Sequence, residues 1–258
     1  MKIEKIKEER KNNKFVFLLK ESNEAFVNAI RRLILEEVPT LAVEEISVKE
    51  NNSALYDEML ALRLGLIPIK TDLKSYQLKD KCSCNGAGCA QCELKISLKI
   101  AKGGYVYAKD AKSADPKCTF VYDDMPIVKL LPKQKIDITM TAVLGRGKEH
   151  AKWAPGWAFY KQEPIVNLSK VKDPKKVMDN CKDGLFTLSN NKLSLVKEKV
   201  YDSNMLGFYS ELDEGITIEY TDNFIFTLES WGQLSCKEIL SYSADLLLEK
   251  TEELEKAI

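Results

Sequence analysis

The sequence has very little histidine, the residue that enzymes most often use for acid–base catalysis. Its single histidine, His150, has no nucleophile or second histidine near it, so we interpret it as a loop residue held by packing or by a subunit contact. The Asp-rich loop needed for two-metal phosphoryl transfer is also missing. Acidic pairs such as Asp123-Asp124 are typical of solvated faces in a chain with 30% charged residues. We therefore predict that the chain has no catalytic centre.

Long hydrophobic runs and an excess of one charge are likewise missing. The chain has no apolar run long enough for a membrane span and no apolar segment behind its first residues, which predicts a cytoplasmic protein without a signal peptide. Its 39 basic residues balance 39 acidic ones. A free-standing nucleic-acid reader normally carries a basic excess, so we expect no direct sequence-specific DNA contact. Near-zero charge favours a protein that resides in a complex.

Glycine-rich phosphate loops are not found either. Gly145-Arg-Gly-Lys148 has one residue between its glycines where a P-loop has four, and no Ser or Thr follows the lysine. We therefore assign this stretch no phosphate chemistry.

Cysteine, by contrast, is concentrated in one short stretch. Four of the seven cysteines, Cys82, Cys84, Cys89 and Cys92, lie within eleven residues in the spacing C-x-C-x4-C-x2-C. Four thiolates can surround one tetrahedral Zn²⁺, and the glycines between them allow a tight turn. The pattern favours one structural zinc ion, with an iron–sulfur cluster or no metal as the alternatives.

Two helices and a strand are predicted near the start of the chain. Ser22 is the predicted N-cap of a helix over residues 26–35, and Val38-Pro39 ends it. A β-rich run around Val43 to Val48 follows, and then a short helix from Asp57 to Leu64.

Alternation of apolar and polar residues predicts strands elsewhere. Predicted strands cover 2–7, 14–20, 94–100, 135–144 and 161–168, and residues 216–220 and 224–228 are expected to form a hairpin about Thr221-Asp-Asn. A final helix opens with a capping box of Ser235 and Glu238, and its apolar residues recur at steps of three and four, the geometry of a helix laid against another helix.

Four stretches of the literal sequence point to a family. They are Asn28-Ala-Ile-Arg-Arg, Glu37-Val-Pro-Thr, Ala54-Leu-Tyr-Asp-Glu and Arg63-Leu-Gly-Leu-Ile-Pro. Together they resemble the assembly signature of the α-type subunits of multisubunit DNA-directed RNA polymerases, and most of all the archaeal D type, counterpart of the third-largest subunit of eukaryotic RNA polymerase II and of the N-terminal part of bacterial α. Leu62 departs from the pattern, because the family usually carries histidine there.

The resemblance implies an α+β fold with a discontinuous αβ dimerisation domain, a mostly β insert domain and a small ferredoxin-like insert. The implied boundaries are 1–42, 160–170 and 215–258 for the dimerisation domain, 43–159 for the insert domain with its cysteine-rich loop, and 171–214 for the ferredoxin-like domain. The end of the chain at Ile258 implies that the promoter-contacting C-terminal domain of bacterial α is missing.

The resemblance also implies partners and contact residues. The chain is expected to be a non-catalytic assembly subunit that pairs with the smaller α-like subunit L and then recruits subunits N and P and the two largest subunits. Arg31 and Arg32 are candidates for contact with a large subunit. The expected subunit-interface residues are Phe26, Ile30, Arg31, Arg32, Leu33, Leu240, Leu247 and Leu254.

The cysteine-rich loop resembles the zinc loop of the eukaryotic counterpart, whose middle spacing is one residue shorter. The ferredoxin-like segment retains only Cys181, so no iron–sulfur cluster is expected there. Met205, Leu206, Phe208 and Tyr209 are expected to fill the volume instead. The alternative hypothesis from another class is a metal-binding or iron–sulfur redox protein.

Overall fold

The chain forms two compact units, each discontinuous in sequence, in a computed structural model that describes residues 1–258. One unit contains Met1–Lys7, Val16–Asn28 and Phe159–Thr227, and the other contains Glu8–Phe15, Ala29–Ala158 and Leu228–Ile258. We call them the small unit and the large unit. Helices are mixed with antiparallel sheets, which is consistent with the predicted α+β class. No helix is both long and apolar enough to span a membrane.

The chain contains twelve strands and six α-helices. The strands are β1 (Lys2–Glu9), β2 (Lys14–Lys20), β3 (Thr40–Asn51), β4 (Glu93–Ile100), β5 (Gly104–Tyr107), β6 (Lys112–Ser113), β7 (Pro126–Leu130), β8 (Ile136–Gly145), β9 (Gly156–Asn167), β10 (Phe186–Ser189), β11 (Lys192–Leu195) and β12 (Thr217–Ser230). The helices are α1 (Glu24–Glu36), α2 (Asp57–Gly65), α3 (Pro174–Asn180), α4 (Lys197–Val200), α5 (Leu206–Leu212) and α6 (Cys236–Ala257).

The large unit is built on an antiparallel sheet of order β3-β8-β4-β6. The strict alternation in β4 places Leu94, Ile96 and Leu98 in the core, while Lys95, Ser97 and Lys99 stay exposed. Helix α2 packs on β3 through its buried Leu60 and Leu64. A second, two-stranded sheet pairs β5 with β7 and adds its apolar face to the same core.

The small unit holds most of a four-stranded sheet of order β1-β2-β12-β9. It also holds a hairpin of β10 and β11, in which Asn190 and Asn191 both have positive φ, as a tight two-residue hairpin turn requires. This hairpin and helices α3, α4 and α5 enclose a separate apolar core. The buried members of that core are Val177, Leu185, Phe186, Leu193, Val200, Leu206, Tyr209 and Ile216.

The predicted hairpin about Thr221-Asp-Asn is wrong, because β12 runs unbroken from Thr217 to Ser230. The polar residues that look like a turn are instead satisfied by the neighbouring strand β9. Asn223 Nδ2 donates to Glu163 Oε2 at 2.8 Å, and Thr221 Oγ1 donates to the carbonyl oxygen of Glu163 at 3.3 Å.

The predicted N-cap of α1 is also wrong by one residue. The helix begins at Glu24, and the backbone N–H of Phe26 donates to Asn23 Oδ1 at 2.8 Å. Asn23, which directly precedes the helix, therefore caps it in place of Ser22. The capping box of α6 is confirmed, since Ser235 and Glu238 bond each other's backbone N–H groups.

Candidate metal centre and assembly surfaces

The structure brings the four predicted cysteines together in the loop between a short 3₁₀ turn at Lys79–Lys81 and β4. Four Sγ–Sγ distances are 3.5 Å for Cys82–Cys89 and for Cys82–Cys84, 3.6 Å for Cys84–Cys92, and 3.8 Å for Cys89–Cys92. All four sulfur atoms lie within 4.8 Å of one another. A Zn–S bond of about 2.3 Å in a regular tetrahedron corresponds to an S–S edge of about 3.8 Å. The donor set therefore fits one tetrahedral metal ion.

Backbone geometry shapes the loop for this arrangement. Gly86 and Gly88 have φ values of 81° and 89°, and Asn85 has 52°, so the chain reverses through left-handed conformations. The N–H of Cys92 donates to the carbonyl oxygen of Cys89 at 3.0 Å, which closes the second turn. The role predicted for the two glycines is confirmed.

Electrostatics favours a thiolate at one of the four sulfurs. Hydrogen bonding from Cys82 lowers the pKa of Cys84 to about 6, whereas burial raises the pKa of Cys92. At the base of the loop, Glu93 pairs with Lys79 at 2.9 Å and with Lys95 at 3.2 Å, which joins the turn before the cysteines to β4. The loop is thus held on its sheet by ion pairs as well as by its own turns.

Helix α1 presents the predicted interface residues in two different ways. Leu33 is buried at 8% exposure, while Phe26 and Ile30 are half-buried. Arg32 is exposed and pairs with Glu36 one turn further on, with 3.0 Å between Nη2 and Oε2, and Arg31 beside it is half-buried. The apolar side of α1 therefore serves the chain's own core at Leu33 and keeps partly open surface nearer its start.

Helix α6 buries a different face from the one its sequence pattern indicates. Its buried residues are Ile239 and Ser243, and Tyr242 and Leu246 line a cleft beside them. In contrast, Leu240 and Leu247 are half-buried and Leu254 is 62% exposed. We call Leu240, Leu247 and Leu254 the leucine stripe. The chain buries one side of the helix and leaves the stripe partly open, most of all at Leu254.

A cluster of charges connects the end of α1 with α6 and with the loop after β8. The carboxylate of Glu37, whose side chain is 16% exposed, pairs with Lys148 at 3.2 Å, Lys250 at 3.5 Å and Arg146 at 3.8 Å. Burial raises the pKa of Glu37, but the hydrogen bond from Lys148 and the charges of Lys250 and Lys148 outweigh it and lower that pKa. Glu37 is thus an ionised anchor for three basic side chains.

The cysteine-rich loop is joined to the same helix. Lys81 Nζ lies 3.3 Å from Glu249 Oε1, and Arg146 Nη2 lies 3.9 Å from Asp80 Oδ2. Lys81, Arg146 and Glu249 border the cleft beside Tyr242, whose volume is about 340 Å³.

Comparisons with known proteins agree with the signature motifs. Residues 45–156 match the family described as the RNA polymerase Rpb3/RpoA insert domain. The DNA-directed RNA polymerase subunit Rpo3 of Methanosphaera stadtmanae is 34% identical over 257 residues, covering 95% of this chain and 95% of that protein. The subunit Rpo3 of Pyrococcus furiosus is 37% identical over 255 residues, covering 95% of this chain and 92% of that protein. The subunit Rpo3 of Archaeoglobus fulgidus is 34% identical over 252 residues, covering 97% of this chain and 96% of that protein.

The chain belongs to the Rpo3 family of DNA-directed RNA polymerase subunits. Identity at this level over nearly the whole length places it in transcription, as a component of that polymerase. The predicted family and the predicted function are confirmed to this extent.

Two residues of the Rpo3 signature motifs join elements of the large unit. Arg63 donates from Nε to the carbonyl oxygen of Ile127 at 2.8 Å and from Nη2 to that of Pro126 at 2.7 Å, so it fastens α2 to β7. Thr40 is fully buried and donates to the carbonyl oxygen of Trp153 at 2.8 Å. Reasoning from sequence patterns missed these roles, because both partners lie more than sixty residues away.

The glycines of the rejected phosphate loop are also explained by packing. A Cβ added at Gly147 would overlap the carbonyl oxygen of Leu35, and one added at Gly145 would overlap the ring of Trp153. His150 is exposed, and its Nδ1 accepts a hydrogen bond from the backbone N–H of Lys152. Leu62, which stands at the usual histidine position, is 57% exposed on α2.

The small unit of this Rpo3 family member places the lone Cys181 in a hydrogen-bond network. Its thiol donates to Asp183 at 3.4 Å and accepts from the N–H of Phe186. Leu206 and Tyr209 are buried as expected, but Met205 and Phe208 are 45% and 42% exposed. The expectation that all four side chains fill the core is therefore right for Leu206 and Tyr209 and wrong for Met205 and Phe208. Helix α5 turns only one side toward the core, and Met205 and Phe208 lie outside that core.

Proposed function

We propose that this chain is a non-catalytic assembly subunit of a cytoplasmic RNA polymerase. It pairs with the smaller α-like subunit L, and the pair then recruits subunits N and P and the two largest subunits. The observation that carries the proposal is the leucine stripe of α6, an apolar row that the chain's own fold leaves partly open.

The geometry of the helix supports a partner at this stripe. With about 100° between successive residues, Leu240, Leu247 and Leu254 lie about 60° to 100° around the axis from the buried Ile239. The helix spans 22 residues and is capped at its start, so it persists well beyond its buried residues. A long capped helix with one covered face and one partly open apolar row is suited to packing against a second helix.

Helix α1 supplies the rest of the proposed contact surface. Phe26 and Ile30 retain partly open apolar surface, and Leu33 supports them from the core. Arg31 and Arg32 extend the surface with positive charge for contact with a large subunit. We accordingly propose that residues 1–42, 160–170 and 215–258 act as the dimerisation domain, with 43–159 as the insert domain and 171–214 as the ferredoxin-like domain.

We also propose that Cys82, Cys84, Cys89 and Cys92 hold one structural zinc ion and that the ferredoxin-like domain carries no iron–sulfur cluster. Four thiolates complete a tetrahedral set and leave no position for a reacting water, which supports a structural ion over a catalytic one. Zinc would supply the loop with the stability that its few apolar residues do not provide.

A matched pair of leucines tests the pairing. Leu254 and Leu248 are both 62% exposed on α6, but Leu248 lies about 120° around the axis from Leu254. Tagged Leu254→Lys, co-expressed with subunit L, should retain much less of that subunit than wild type, and Leu248→Lys should retain a wild-type amount. Equal retention by both variants would argue against the stripe as the contact.

An absorption spectrum separates the proposal from the redox alternative. Protein purified without oxygen should be colourless and contain about one zinc per chain. A broad visible band, together with iron and acid-labile sulfide, would favour a redox protein.

A further inference from the structure

The two-stranded sheet of β5 and β7 presents two aromatic rings to solvent. Tyr105 and Tyr107 alternate with Val106, which is buried opposite Val128 in the core. Tyr105 is 58% exposed and Tyr107 is half-buried, and their ring centroids lie 6.1 Å apart with 34° between the planes. The two rings thus stand side by side on the open face of a sheet whose other face is fully packed.

Lysines accompany both rings. Lys129, which faces Tyr105 across the ladder, places Nζ 5.1 Å from the centre of that ring. Lys109 places Nζ 5.2 Å from the ring of Tyr107 and pairs with Asp124 at 2.7 Å. Residues 101–135 contain seven lysines and four aspartates but no arginine or glutamate, which gives a net charge of +3, while the whole chain has a net charge of zero.

Aromatic side chains two residues apart on an open sheet face can stack successive bases of a single strand, and neighbouring cations can bind its phosphates. We propose that this face, defined by Tyr105, Tyr107, Lys109 and Lys129, binds single-stranded nucleic acid. Stacking on tyrosine rings uses the face of a base, which all four bases have, so we expect binding that depends little on sequence. The inference goes beyond the proposed assembly role, which uses other residues.

Fluorescence anisotropy with the full chain, in the complex in which it is purified, tests the proposal. The probes are labelled oligouridine and oligothymidine of about 15 nucleotides, which separate RNA from DNA as the natural ligand. Replacing both tyrosines by alanine should weaken binding at least about tenfold, whereas replacing both by phenylalanine should preserve it, because stacking needs the ring and not the hydroxyl. Tyr220→Ala, at a tyrosine 61% exposed in the small unit, is the matched control.

Salt dependence tests the lysines separately. Replacing Lys109 and Lys129 by alanine should reduce the slope of log affinity against log salt by about 1.4, since each contact with a single strand contributes about 0.7. Lys192→Ala, at an exposed lysine at the start of β11, should leave the slope unchanged.

Two outcomes would overturn the proposal. One is binding by the alanine variant as tight as by wild type, and the other is no binding of either probe at about 50 mM salt, where phosphate contacts are strongest. In the second case, binding of a labelled acidic peptide to the same face would assign it to a protein partner instead. Co-purification with the polymerase, measured on the same variants, should be unaffected, which distinguishes failure here from failure of the assembly role.

Discussion

Tyr209 donates a hydrogen bond from its hydroxyl to the carboxylate of Asp183, with 2.8 Å between Oη and Oδ1. Ser203 donates to the other carboxylate oxygen at 2.8 Å, and the N–H of Leu185 donates at 3.2 Å. Burial raises the pKa of Asp183, but these hydrogen bonds outweigh it and the pKa is lowered. An ionised carboxylate therefore organises the polar side of the small unit's separate core.

We expect Asp183→Asn to loosen this core. The amide has the same shape but accepts fewer and weaker hydrogen bonds, so the local free energy of unfolding should fall by about 2 kcal/mol. Backbone amides of β10 and β11 should then exchange their hydrogens about thirtyfold faster. Asp179→Asn, at an exposed position on α3, is the control and should exchange like wild type. Exchange of Asp183→Asn at the wild-type rate would contradict the role of the carboxylate.

The same carboxylate gives a pH dependence with a definite sign. Because the pKa of Asp183 in the folded chain lies below its unfolded value of about 3.9, the ionised group stabilises the fold at neutral pH. This stabilisation should be lost as the pH falls below about 4, through the folded pKa. Asp183→Asn should lack that part of the acid sensitivity.

Glu37 and its neighbour Glu36 form a second matched pair. We expect Glu37→Gln to lower the free energy of unfolding by about 1 to 2 kcal/mol, because it removes the charge that holds three basic side chains in a mostly buried position. Glu36→Gln removes only an exposed pair with Arg32 and should change stability by less than about 0.5 kcal/mol. Urea unfolding followed by tryptophan fluorescence measures both, and equal effects would count against the anchor.

Local sequence signals predicted what depends on near neighbours. The alternation in β4, the capping box of Ser235 and Glu238, and the clustering of the four cysteines all arise within a few residues, and the structure contains each of them. The polar run at Thr221 misled the prediction, because its partner, Glu163, lies 58 residues away on β9. Tyr209 and Asp183 meet across 26 residues, which no local pattern records.

The metal centre gives a prediction that separates the loop from assembly. Cys89→Ser with Cys92→Ser should lower the zinc content from about one ion per chain to near zero, whereas Cys181→Ala should leave it unchanged. Pairing with subunit L should weaken less than about tenfold, because exposed ion pairs such as Lys81–Glu249 contribute about 1 kcal/mol or less. Retained zinc in the double variant, or complete loss of pairing, would contradict this account.

Two glycines should respond to alanine in opposite directions. Gly147→Ala should destabilise the chain by about 3 kcal/mol or more, because the added Cβ would overlap the backbone oxygen of Leu35. Gly207 lies in α5, and a Cβ added there would meet no atom within 4 Å, so Gly207→Ala should stabilise by up to about 1 kcal/mol. Thermal unfolding distinguishes the two, and a neutral Gly147→Ala would show that the loop after β8 can move away from α1.

The leucine stripe is tested most directly by tagged protein recovered from cells that contain the whole polymerase. Wild type and Leu248→Lys should each bring down both of the largest subunits together with subunit L. A variant with Leu240, Leu247 and Leu254 all changed to lysine should bring down none of them, although it should fold, because these side chains are partly or largely exposed in the chain itself. Recovery of both large subunits by the triple variant at the wild-type level would contradict the central claim that this chain nucleates assembly through α6.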